Sequence, residues 1–124
     1  MEALKYIYEK DIPTLGICLG MQLMGVFLDG TLEEIDGHLN TEHDVIINRH
    51  SKIYDNNTIV KVNSRHKYIL KDTKAQIVGR DMYGNIEAIE DKNKKFFVGV
   101  QWHPEDIDDK VFSCFIKNIG EEDV

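Results

Sequence analysis

Positive charge is in short supply in this chain: 15 Lys and Arg stand against 22 Asp and Glu, giving a formal net charge of -7. A phosphate backbone is held by clustered cations that acidic neighbours do not outnumber, so the balance argues against a nucleic-acid partner. No apolar run approaches the length needed to cross a bilayer, and the segment from Met1 to Lys5 reads as helix rather than as a leader. Those absences point to a cytoplasmic protein with no membrane partner. Cysteine is also scarce. Cys18 and Cys114 match neither a Cys-x-x-Cys pair nor a zinc-ligand spacing, and His38, His43 and His50 show no ligand pattern, so neither metal nor cofactor is expected. Repeats, low-complexity tracts and linkers are missing too. With 42% hydrophobic and 30% charged residues, 1–124 reads as a single domain with one modest core.

The periodicities predict an α/β order. Leu4, Ile7 and Tyr8 have helical spacing over residues 2–9, and Pro13 ends that helix because the residue before proline avoids the α region. Residues 13–17 form a short apolar run suited to a strand of a parallel sheet buried on both faces, and 20–28 suit a buried helix. Strands are predicted at 43–48 and 58–62. A hairpin is predicted from 75–80 to 86–90, turning on the positive-φ chemistry of Gly84-Asn85, and a further strand runs from Lys95 to Gln101. Asp106 to Ile119 reads as an amphipathic helix, with Cys114 as a small buried hydrophobe.

Chemistry concentrates in two segments. In Gly16-Ile-Cys18-Leu-Gly20-Met-Gln22 a cysteine sits at a strand-to-helix junction with glycine two residues away on each side, the pattern of a nucleophile elbow. Such a turn crowds its neighbours, which favours residues without Cβ, and aims helix N-terminal amides at the sulfur, favouring a thiolate. The Leu19 amide is placed to stabilise an oxyanion. In Gly99-Val-Gln-Trp-His103-Pro-Glu105, residues 103 and 105 project to one side of an extended chain with Cα atoms about 6.6 Å apart, so Glu105 can orient a basic His103. Taken singly, the first segment also suits a small core cysteine and the second a surface histidine before a helix. Together they supply nucleophile, base and orienting group.

These two motifs resemble those of the class I glutamine amidotransferases. Val62-Asn63-Ser64-Arg65-His66 is similar to a segment of the peptidase C26 branch, which includes γ-glutamyl-γ-aminobutyrate hydrolases. The resemblance implies a flavodoxin-like three-layer α/β sheet with a hairpin-rich C-terminal half, lacking the usual N-terminal strands. It implies a cysteine-dependent hydrolase that cleaves a γ-glutamyl amide, either glutamine or a γ-glutamyl amine, through a Cys18 thioester. Catalytic Cys18, His103 and Glu105 would be joined by Leu19, Gln22, Ser64, Arg65 and His66 at the substrate, with the loop from Ser64 to Tyr68 lining the pocket. Leu19 departs from the basic residue of many C26 hydrolases and is closer to synthase-associated domains. The alternatives are therefore a glutaminase subunit feeding ammonia to a synthase, or a non-catalytic truncated assembly subunit. An uncovered edge on the 13–17 strand implies a homodimer, a complementing polypeptide or an abbreviated piece of a longer chain.

Overall fold

The computed structural model describes residues 2–34, 39–47, 58–65, 68–104, 111 and 113–117. Helix α1 (Glu2–Glu9) is followed by strand β1 (Thr14–Ile17) and helix α2 (Leu19–Phe27). Strands β2 (Thr31–Glu34), β3 (Leu39–Ile47), β4 (Thr58–Arg65) and β5 (Tyr68–Asp72) come next. The hairpin β6 (Gln76–Asp81) and β7 (Ile86–Glu90) then leads to β8 (Phe97–Val100). Val111 and residues 113–117 are helical, and the remainder of the expected C-terminal helix lies outside the described residues.

Both early helices stop by the same device. After α1, Ile12 N donates to Ile7 O at 3.1 Å and Asp11 N to Tyr8 O at 3.2 Å, with Asp11 at φ 53°. After α2, Gly30 N donates to Gly25 O at 2.9 Å and Asp29 N to Val26 O at 3.0 Å, with Asp29 at φ 63°. These are the paired bonds of a Schellman ending, here with aspartate in the left-handed position that glycine usually fills. Pro13 lies just beyond the first ending and reinforces it rather than making it.

Six strands form one sheet in the order β1-β8-β7-β6-β3-β4. Among the described strands only β1 and β8 run parallel, with Ile17 opposite Val100; the other pairings are antiparallel. A second sheet pairs β2 with β5, two strands that the sequence pattern did not announce. The hairpin forms as expected, although Gly84 alone takes positive φ at 86°. Asn85 instead donates its backbone and side-chain N–H groups to the Asp81 carboxylate.

Apolar side chains cover both faces of the large sheet, giving three layers. On one face Met21 and Met24 of α2, Leu70 of β5 and Leu4, Ile7 and Tyr8 of α1 pack with Ile86, Ile89 and Phe97. On the other, Val98, Val100, Trp102 and Val45 pack with Val111, Cys114 and Phe115. Strand β8 is consequently buried at every position, whereas β1 at the sheet edge is half-buried apart from Gly16. That corrects the expectation of a fully covered β1. Among the described strands it has one neighbour, β8.

Candidate active site

Cys18 stands where the β1–β8 ladder runs out. Its amide donates to Val100 O at 2.9 Å, one step beyond the last strand pair, and its own carbonyl accepts the first α2 bond from Gln22 N at 3.1 Å. Between those bonds the chain reverses through φ 52°, ψ -104°, a conformation that costs a non-glycine residue about 1–3 kcal/mol. The turn leaves the amides of Leu19, Gly20 and Met21 ahead of the first intrahelical bond, so their donors and the helix dipole gather at the N-terminus. Leu19 itself is exposed.

The flanking glycines differ in purpose. A Cβ on Gly16 would lie 2.8 Å from the Gly20 backbone carbon and 2.4 Å from Met24 Sδ, so close packing of β1 against α2 excludes any side chain there. At Gly20 a Cβ would meet nothing within 4 Å, which removes the crowding expected at that position. Gly99 repeats the first case, since α2 rests on it with Met21 Cγ 2.7 Å from where a Cβ would sit.

His103 follows β8, the parallel neighbour of β1, and so arrives at the same end of the sheet as Cys18. Its backbone N–H donates to Asn63 Oδ1 at 3.2 Å, and its side chain is half-buried beside buried Trp102 and Pro104. Glu105 and His66 lie outside the described residues. Ser64 and Arg65 belong to the end of β4, where they pair with Thr41 and Leu39, rather than to a loop.

Gln22 and Gln101 meet beneath the sulfur. The Gln22 amide, 5% exposed, donates from Nε2 to Tyr68 O at 2.9 Å and to Gln101 Oε1 at 3.2 Å. Gln101 is fully buried and directs its own Nε2 to Cys18 Sγ at 3.6 Å. Sequence reasoning assigned no role to Gln101 or Asn63 and placed Tyr68 only at the end of a pocket-lining loop. Gln101 lies within the His103 motif, which was the signal at hand; the Tyr68 carbonyl carries none.

Further along the sheet, His43 Nε2 lies 3.2 Å from Glu87 Oε1, and together with Asp81 these residues bring one ligand atom each within 4.8 Å of one another. This group could hold a cation, and His43, when protonated, brings positive charge to the two buried carboxylates. The Glu87 hydrogen bond raises the His43 pKa above 6.5 despite the opposing effect of burial. The cluster connects to the site through the backbone, because Gln101 N donates to Glu87 O at 2.8 Å.

The family model of class I glutamine amidotransferases matches residues 1–118. The chain belongs to that family. It is 30% identical over 146 residues to the CTP synthase of Methanopyrus kandleri, an alignment that takes in 85% of this chain and 27% of the synthase. It is likewise 30% identical to a glutamine amidotransferase-like protein of Rickettsia prowazekii, over 92% of this chain and 62% of that one. The amidotransferase chain thus spans little more than a quarter of the curated CTP synthases it matches. Its fold superposes with TM-score 0.80 on a GMP synthase subunit from Thermoplasma acidophilum, at 17% identity, covering 95% of this chain and 62% of that one. A glutamine amidotransferase from Thermotoga maritima gives 0.72, also at 17% identity, over 99% and 55%.

Proposed function

We propose that this amidotransferase hydrolyses a γ-glutamyl amide, with glutamine the first candidate. The observation that carries the reading is the position of Cys18 at the strained end of β1, with Gln101 on its sulfur and the His103 segment arriving from the adjacent strand. Cys18 passes its thiol proton to His103 and Sγ bonds to the γ-carbonyl carbon, the carbonyl π pair moving onto oxygen, where the Leu19 amide donates to the oxyanion. The C–N bond then breaks, and the leaving nitrogen takes a proton from His103, oriented by Glu105. Water gives a proton to His103 and attacks the thioester carbon, the C–S bond breaks to release glutamate, and the proton returns to Cys18. Gln22, Ser64, Arg65 and His66 complete the proposed site.

Relatives that are CTP synthases or part of a GMP synthase favour delivery of the ammonia to a synthase partner. Among the described strands β1 pairs on one side only, immediately beside Cys18, which supports a complementing polypeptide or a second copy of the chain. A γ-glutamyl amine is the second reading, favoured by the Val62-Asn63-Ser64 segment, whose Asn63 reaches the His103 backbone.

A chloroketone analogue of glutamine tests the proposal. Native protein at neutral pH should be alkylated at Cys18, and His103→Ala should lose that labelling. If Cys18 labels only after denaturation, the enzyme reading fails. Glutamate release from glutamine, compared with release from γ-glutamyl amines, then separates the two substrate readings.

A further inference from the structure

The fully buried Gln101 places a side chain against the sulfur. Its Nε2 lies 3.6 Å from Cys18 Sγ, while its backbone N–H is fixed to Glu87 O at 2.8 Å. An amide can present either a donor or an acceptor, and the two have opposite effects on a thiolate.

The geometry points to Gln101 as a catalytic residue whose amide N–H holds the Cys18 thiolate, with Gln22 as the positioning residue that decides which end of that amide faces the sulfur. The inference rests on Cys18 being the nucleophile. The Tyr68 carbonyl can only accept. Gln22 must therefore turn Nε2 toward it, at 2.9 Å. That leaves the second Nε2 hydrogen for Gln101, 3.2 Å away, and obliges Gln101 to answer with Oε1. The other end of the Gln101 amide, its N–H donor, is then left facing Cys18.

A donor in this position binds a thiolate more strongly than a thiol, because the charge shortens and strengthens the bond. It therefore favours the ionised, attacking form. With Gln101 fully buried and Gln22 nearly so, the chain of amides is shielded from exchange with water. Both Gln22 amide hydrogens are committed inside the protein, so its donors act on the reaction through Gln101.

The test is the rate of iodoacetamide alkylation of Cys18 against pH in the full chain, read by peptide mass spectrometry so that Cys114 is followed separately. In the wild type the midpoint should lie below the free-thiol value of about 8.5. Gln101→Met keeps the length and removes the donor. It should raise the midpoint by about one unit and slow alkylation below the midpoint about tenfold, the scale of a hydrogen bond to a charged group. Gln22→Met releases the Gln101 amide to rotate and should shift the midpoint in the same direction by less. A purely structural role would lower the melting temperature and leave both midpoints in place, which overturns the inference. If Gln101→Met has no cooperative melt, Gln22→Met decides. An ordinary thiol midpoint in the wild type defeats the nucleophile reading and the relay together; a depressed midpoint that neither variant moves defeats the relay alone.

Discussion

His103 N donates to Asn63 Oδ1 across 3.2 Å, so the end of β4 holds the backbone of the proposed base from a position 40 residues earlier in the chain. Strand β8 delivers this segment to the nucleophile, but regular pairing of β8 ends at Val100. Beyond it the chain bends, and the Asn63 bond helps set where the imidazole starts.

Asn63→Ala should therefore affect rate more than stability. Loss of one half-buried hydrogen bond costs about 1 kcal/mol, whereas a displaced base can slow a reaction by about tenfold to a hundredfold. Glutaminase kcat and the urea midpoint, measured on the same preparation, compare the two. A drop in stability with unchanged kcat would assign Asn63 a structural part only.

The glycines around Cys18 are expected to respond in opposite ways. Gly16→Ala forces a Cβ against the Gly20 backbone and Met24, and should cost about 2 kcal/mol or more, since α2 cannot move off β1 without disturbing the elbow. Gly20→Ala meets open space on a helix and should stabilise by about 0.5 kcal/mol. Urea unfolding of the two variants checks this, and equal losses would contradict the packing difference.

The local part of this architecture was legible in the sequence. Cys18 between a short apolar run and a buried helix, the hairpin around Gly84 and the strand leading to His103 are each set by neighbours within a few residues. What the pattern could not reveal depends on distant partners. The Gln22–Gln101 bond spans 79 residues and the Gln22–Tyr68 bond 46. Strand β2, Thr31-Leu-Glu-Glu34, is exposed throughout, so burial imposed no alternation, and it becomes a strand only by pairing with β5. Strand β7 buries Glu87 and Glu90 along with its apolar residues, because its neighbours and both cores cover it. Composition alone would leave such carboxylates in water.

The Schellman endings make a third prediction. Asp29 carries a left-handed backbone cost that its exposed pair with Lys74, at 3.1 Å, does little to offset. Asp29→Gly should stabilise by about 0.5 kcal/mol. Asp11→Gly should gain nothing or lose stability, because Asp11 Oδ1 also accepts the Lys95 amide at 2.9 Å. Thermal melts of both variants distinguish the cases, and a larger gain at Asp11 would show that its bond to Lys95 contributes little.

His43 sets a pH dependence of stability with a definite sign. Its pKa is raised from 6.5 chiefly by the Glu87 hydrogen bond, with Coulombic support from Glu87, Asp81 and Asp44 and opposition from burial. The folded state therefore holds the proton more tightly than the unfolded chain does. The resulting stabilisation is fully present below about pH 6.5 and is lost as pH rises through the higher folded-state value. Urea midpoints should fall across that window in the wild type and fall less in His43→Gln, which retains a hydrogen-bond donor but cannot titrate. The same slope in both proteins would remove His43 as the cause. If the slope follows His43, raising the pH through its folded-state value weakens the link between β3 and β7, the strand whose Glu87 carbonyl fixes the Gln101 backbone beneath Cys18.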